Sequence, residues 1–153
     1  MDIRHATLND VPEMLELARV LHGMARFEEL PFDEDKTRAG IEKFIIGDKK
    51  TYVSLVSIED DKVVGVLIAY CMEPLFSTKK VAIEVLLYMV PEYRSSHRGD
   101  QLIQAYEYWA KLVGASRAIG GFMYGMDERL EAFWRRRGYQ DLEKLYAKDL
   151  TNG

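Results

Sequence analysis

The chain has 153 residues, 48% of them hydrophobic and 30% charged, which suits one folded domain over residues 1–153 and excludes a disordered segment. A formal net charge of -4, from 21 Lys+Arg against 25 Asp+Glu, argues against nucleic-acid binding by bulk charge. Cys71 is the single cysteine, so no internal disulfide forms, and the three histidines, His5, His22 and His97, show no metal-ligand spacing. The polar start of the chain lacks the apolar core of a secretion signal, and no apolar run approaches the roughly 20 residues that span a bilayer. The expectation is a cytoplasmic protein with no metal, no nucleic acid and no membrane partner.

The spacing predicts an edge strand within Met1–Thr7, then a helix capped by Asn9 or Asp10 and running to Met24, with Pro12 tolerated in its first turn. Val11, Met14, Leu15, Ala18 and Leu21 share its buried face. An irregular stretch carrying Glu28, Glu29 and Pro31 leads to a second helix, Asp35–Ile46, with Ile41, Phe44 and Ile45 inward. From Thr51 the period becomes extended: Tyr52–Val56 and Val63–Cys71 read as strands around the turn Glu59-Asp60-Asp61-Lys62. A third strand, Val81–Val90, ends at Pro91, which has no amide hydrogen for a ladder. Gly99–Val113 is a helix with Leu102, Ile103, Tyr106, Trp109, Ala110 and Val113 on one stripe, stopped by Gly114. A strand Ser116–Met123, a helix from Asp127 to Arg137 stopped by Gly138, and a last strand Leu145–Leu150 complete the order. Helices interleaved with strands imply an α/β sheet covered on both faces. Trp109, Tyr106 and Cys71 read as core, and Arg135, Arg136 and Arg137 as a solvated last helical turn.

The segment Val85–Leu102 joins a buried strand, a proline stop, a short polar loop and a helix start. Such a corner aims backbone amides and the positive end of a helix at one point, which suits a phosphate or pyrophosphate. Arg94, His97 and Arg98 add donors there; an ordinary connection with solvated arginines explains the same residues. The pattern is neither a P-loop nor a dinucleotide fingerprint. Glu84 is the one acid in the run Val81–Val90. Buried, it is a candidate base with a raised pKa; at an exposed strand end it would pair with Lys79 or Lys80.

Val90-Pro91 followed by Arg94-Ser95-Ser96-His97-Arg98-Gly99 and Leu102 resembles the phosphate loop of the GCN5-related N-acetyltransferase (GNAT) family, Gln/Arg-x-x-Gly-x-Gly/Ala after a strand ending in Val-x-Pro or a close variant. The run Asp127 to Tyr139 resembles that family's second landmark, Asn-x-x-Ala-x-x-Leu/Phe-Tyr-x-x-x-Gly-Phe. The opening Ile3-Arg4-His5-Ala6-Thr7 is also similar, and the resemblance covers essentially the whole chain. His97 stands at the first loop glycine, Asp127 at the asparagine, Leu130 at the alanine and Trp134 at the tyrosine.

The resemblance implies a mixed, mostly antiparallel sheet splayed at its middle strands. It also implies direct transfer of acetyl from acetyl-CoA to a primary amine in a ternary complex. Arg94, Ser95, Ser96, His97, Arg98, Gly99 and Asp100 would hold the pyrophosphate. Tyr88, Met89 and Val90, where the family's strand bulges, would hold pantetheine and polarise the thioester. Asp127, Phe133 and Trp134 would line the cofactor channel. Glu84 would be the base. Because the indole of Trp134 is no proton donor comparable to the phenol it replaces, the thiolate would take its proton from water, from the departing amine or from another tyrosine, with Tyr124 the candidate acid; a packing or acceptor-site role explains Tyr124 as well. Glu28, Glu29, Asp33, Glu34 and Asp35 lie where the family's acceptor pocket would be, which suits a cationic acceptor; a solvated acidic loop fits equally. Dimers occur in the family, so a homodimer is open. The rival reading is a non-catalytic acyl-CoA-binding or protein-interaction module, favoured by His97 and Trp134.

Overall fold

Extended runs alternate with amphipathic helical ones along this chain, and a sheet with helices on both faces buries both kinds of apolar surface. The computed structural model, which describes residues 2–25, 29–94, 97–121 and 129–151, has that architecture. Among the described residues, five strands lie side by side in chain order: β1 (Asp2–His5), β2 (Tyr52–Glu59), β3 (Lys62–Met72), β4 (Lys80–Met89) and β5 (Ala115–Ile119). The β1–β2, β2–β3 and β3–β4 pairs are antiparallel and β4–β5 is parallel. Helices α1 (Val11–Met24) and α2 (Glu34–Ile46) precede β2, and α4 (Arg129–Arg136) follows β5. Between β4 and β5 runs α3 (Arg98–Leu112), the crossover that a parallel pair requires because a tight turn can only return the chain antiparallel.

The two faces hold separate apolar clusters. Leu102, Ile103, Tyr106, Trp109 and Ala110 of α3 and Trp134 of α4 pack on Val53, Leu55, Leu67, Ala69 and Ala82. On the other face, Val11, Met14, Leu15 and Ala18 of α1 and Ile41 and Ile45 of α2 cover Val56, Val66, Ile68 and Tyr88. Tyr106 is fully buried, and its hydroxyl donates to the Ile119 carbonyl at 3.0 Å. Trp109 is buried likewise and donates to the Lys49 carbonyl at 3.0 Å. Both are core residues, as their helical spacing indicates. The β2–β3 hairpin turns through Asp60 and Asp61 at φ 48° and 60°, the left-handed pair that a two-residue hairpin with the right twist demands. Gly114 and Gly138, at φ 86° and 87°, end α3 and α4 in the same region.

Two elements differ from their sequence expectation. Asp10 is already helical (φ -83°, ψ -13°) and does not cap α1 from outside. Its carboxylate reaches back instead, accepting the Thr7 N–H at 2.7 Å and hydroxyl at 3.1 Å and both guanidinium arms of Arg4 at 2.8 and 2.9 Å. Leu145–Leu150 is not a strand, since residues 139–150 carry no regular structure. A strand needs a ladder partner and a face to bury, yet Leu145, Tyr146 and Leu150 are 79%, 85% and 82% exposed. The strand expected over Ser116–Met123 is Ala115–Ile119, and its last two residues lie outside the described ones.

The Arg4 pair, with Thr7, holds the Asp10 carboxyl below its ordinary pKa of 3.8. Native Asp10 therefore stays ionised where the unfolded chain takes up a proton, and its contribution exists above pH 3.8 and fades as pH falls below it. Asp10→Ala is expected to lower stability at pH 7 by about 1–3 kcal/mol. Urea titrations at stepwise lower pH should show the difference from wild type shrinking; a difference that stays constant contradicts the assignment.

Candidate active site

The sheet opens beside β4. Strand β5 pairs with it only over Lys80–Ile83 and stops at Ile119, while β4 continues to Met89. Next to the opening the β3–β4 ladder slips, with Ile68 opposite Leu86 and Ala69 opposite Glu84, leaving Val85 as an unpaired bulge, 54% exposed. A bulge bends its strand and re-aims the side chains around it. Here it lies at Val85 and not within Tyr88–Val90, where the resemblance places it. The run of apolar residues through Val90 has no local signal marking that slip. Val90 donates to the Val64 carbonyl at 2.9 Å, so Val90 and, by strand alternation, Tyr88 face β3. The same alternation turns the amides of Leu87 and Met89 to the side that β5 has left.

Glu84 sits at the mouth of this opening. Its carboxylate accepts the Gly121 N–H at 3.0 Å, and among the described residues it pairs with neither Lys79 nor Lys80. Burial pushes its pKa from 4.5 up to about 7, and the Gly121 bond opposes that rise. Its side chain is crowded by protein yet keeps some contact with solvent. A carboxyl so placed gives up its proton near neutrality and stays reachable, the two properties a general base needs. Tyr106 and Tyr139 lie near enough to feel its charge, and burial holds both phenols above their ordinary pKa.

Trp134 is turned into the core, 6% exposed, with its ring 4.6 Å from that of Tyr139 and 5.7 Å from that of Phe133. The indole N–H donates to the Gly121 carbonyl at 3.0 Å. Phe133 reaches the start of α3, where its ring would lie 3.7 Å from a Cβ at Gly99. Tyr124 and Asp127 lie outside the described residues.

Beyond Val90 a single turn, Pro91–Tyr93, leads to the corner. Arg94 Nε donates to the Met89 carbonyl at 2.8 Å, and its guanidinium lies 5.4 Å over the Tyr88 ring. Arg98 pairs with Glu59 at 2.5 Å and stacks 4.7 Å over Tyr93. Asp100 takes Arg137 at 3.2 Å, and Arg137 also pairs with Glu107 at 3.0 Å. Arg94, Arg98 and Asp100 thus shape the corner through protein contacts. Among the described residues no side chain caps the first turn of α3, and the His97 side chain stands 96% exposed beside it. Ser95 and Ser96 lie outside the described residues. First-turn amides at the positive end of a helix, with an exposed imidazole alongside, can hold an anion.

The acidic cluster has structural partners. Asp33 caps α2 by accepting the Lys36 N–H at 2.9 Å, and Glu34 lies 3.4 Å from both Arg19 and Arg38; Glu28 lies outside the described residues. Sequence reasoning missed Gly121 and Arg137. The Gly120-Gly121 pair directly after a strand was the available signal for the first. The second was hidden in an arginine run in which Arg135 meets Glu131 and Asp141.

A family model described as "Acetyltransferase (GNAT) family" matches residues 13–139. The chain is 29% identical over 145 residues to the amino-acid acetyltransferase of Aeromonas salmonicida (strain A449), covering 92% of this chain and 27% of that protein. It therefore spans about a quarter of the length of the curated relatives it matches. An aminoglycoside acetyltransferase, meta-AAC0020, from an uncultured soil metagenomic sample in complex with sisomicin shares the fold at TM-score 0.73 and 19% identity, over 99% of this chain and 96% of that one. The aminoglycoside N-acetyltransferase AAC(6')-Iy in complex with CoA does so at TM-score 0.74 and 14% identity, over 97% and 98%.

The raised Glu84 pKa has a stability consequence. Between pH 4.5 and about 7 the native carboxyl keeps its proton while the unfolded one has lost it, so stability falls as pH rises through that window. The full loss above pH 7 is at most about 3 kcal/mol. Glu84→Gln removes it while retaining an acceptor for Gly121. The variant should therefore match wild type at pH 4 and melt higher at pH 8; parallel melting curves across both pH values contradict the burial of this carboxyl.

Proposed function

The chain belongs to the acetyltransferase (GNAT) family, and from that premise we propose that it is an N-acetyltransferase moving acetyl from acetyl-CoA to a primary amine. The single observation that carries the reading is the Glu84 carboxylate, held by the Gly121 N–H beside the side of β4 that β5 leaves, with the positive end of α3 beyond the end of the same strand.

In this reading the diphosphate of acetyl-CoA rests on the first-turn amides of α3, with His97 donating from outside. Arg94 and Arg98 hold the corner in shape through Met89 and Glu59. The pantetheine runs along the side of β4 that β5 leaves, where its amide groups meet backbone that no described strand pairs, as an added strand would. Glu84 takes a proton from the acceptor ammonium, freeing the nitrogen lone pair. That nitrogen attacks the thioester carbon, and the carbonyl oxygen becomes an oxyanion facing the Leu87 and Met89 amides. Fixed donors at that point stabilise the charge as it forms. The attacking nitrogen gives up its second proton to water or to the departing sulfur as collapse breaks the C–S bond, releasing the neutral amide and CoA. A thiol pKa of roughly 8.5 lets water protonate the thiolate without a dedicated acid. The acceptor is an amine of unassigned identity; amino-acid and aminoglycoside acetyltransferases among the similar proteins make those two amine classes the first to try.

Thiol release from acetyl-CoA, followed with a disulfide reagent across a panel of amino acids, polyamines and aminoglycosides, tests the reading. At least one amine should accelerate release, with kcat/KM rising to a plateau above about pH 7 as Glu84 ionises. Glu84→Gln should lower kcat by about 10²–10⁴ and remove that inflection, leaving the KM for acetyl-CoA unchanged. Tight acetyl-CoA binding without thiol release to any amine would favour a non-catalytic acyl-CoA-binding module.

A further inference from the structure

Position 134, a tyrosine in the family pattern, carries an indole whose place in the fold connects it to Glu84. The Trp134 ring lies against the chain as it leaves β5, so close that a Cβ on Gly120 would fall 2.3 Å from a ring carbon. Its N–H is fixed on the Gly121 carbonyl at 3.0 Å. The Gly121 N–H, between those two contacts, points at the Glu84 carboxylate, also at 3.0 Å. A Cβ on Gly121 would lie 3.4 Å from that carboxylate, in ordinary contact, so the steric demand for glycine falls on Gly120 and the hydrogen bond on Gly121. We propose that Trp134 is a positioning residue for Glu84, acting through Gly121: ring and N–H clamp the backbone on either side of the one N–H that aims the carboxylate.

The clamp has its own support. Helix α4 is held to α3 by Arg137, which pairs with Asp100 in the first turn of α3 and with Glu107. The phosphate corner and the carboxylate are thereby joined through one helix. A glycine pair gives the exit from β5 no side chains to hold it, and an indole donor replaces that missing rigidity. The role differs from proton donation, which indole does not perform near neutral pH.

The inference rests on Glu84 being the base proposed above, and its test separates the two. Around Glu84 the other titratable groups among the described residues are Tyr106 on α3, Tyr139 after α4 and Cys71 on β3. Burial raises the pKa of all three. Glu107 and Arg137 bear on Tyr139, and Lys80 on Cys71, from farther out. The chain has two tryptophans, and the second, Trp109, donates to Lys49, which makes it an internal control. In protein with 15N-labelled indoles, titrated from pH 5 to 9, the Trp134 N–H resonance should move with a midpoint near 7 while Trp109 stays still. Glu84→Gln should abolish the movement. A Trp134 resonance that stays flat in wild type, or that titrates unchanged in Glu84→Gln, overturns the inference.

Trp134→Phe keeps an aromatic ring and removes the N–H. Because the Gly121 bond favours the ionised carboxylate, its loosening should shift the acid limb of kcat/KM to higher pH with the KM for acetyl-CoA unchanged. A packing role alone would lower the melting temperature and leave the limb in place, which would overturn the inference. Absence of thiol release from wild type would defeat the proposed activity, while the indole titration would still decide the clamp.

Discussion

The parting of β5 from β4 after Ile83 is the constraint from which the rest of the site follows. A sheet interior ordinarily satisfies both edges of every strand, and a buried edge left open costs on the order of 1–3 kcal/mol for each unpaired group. Here the bulge at Val85 and the end of β5 at Ile119 leave one side of β4, over its last residues, without a strand partner among the described residues. Such an edge is a template for something that hydrogen-bonds like a strand. The α3 terminus follows β4 closely in the chain, so the open edge and the positive helix end lie in sequence along a single path. An extended ligand carrying amides at one end and phosphates at the other matches that order.

The electrostatics of the site come from packing more than from charge. Glu84 faces buried phenols and a backbone N–H instead of a cation, so desolvation dominates and its pKa moves toward neutrality. The cations of α3 and of the turn after α4 are held by their own acids: Arg98 by Glu59, and Arg137 by Asp100 and Glu107. A guanidinium group reaching Glu84 would have drawn its carboxyl well below neutral. The same pairs fix the elements that frame the opening. Arg98 ties the start of α3 to the end of β2, and Arg137 ties α4 to α3.

Much of this was legible in the sequence because it rests on local pattern. The helical stripe of α3, the proline stop after β4, the Asp60-Asp61 turn and the lone acid in an apolar strand all have periods or punctuation that one segment carries by itself. What was hidden depends on pairing across the fold. The bulge falls inside the run of apolar side chains from Val85 to Val90, where no residue type marks the register slip. The Glu59–Arg98 and Asp100–Arg137 pairs bring together side chains far apart in the chain. The contact of the Trp134 indole with Gly121 likewise joins two segments that no local pattern links. Leu145–Leu150 has strand-forming composition, but composition supplies no neighbouring edge.

The central claim is that the open side of β4 and the first turn of α3 together receive acetyl-CoA. Amide hydrogen exchange, read residue by residue with and without acetyl-CoA, addresses it most directly. The account predicts slowed exchange at Leu87, Met89 and the amides of residues 98–100, with β1 and β2 unchanged. Protection confined to other parts of the molecule, with the Leu87 and Met89 amides exchanging as before, would contradict it.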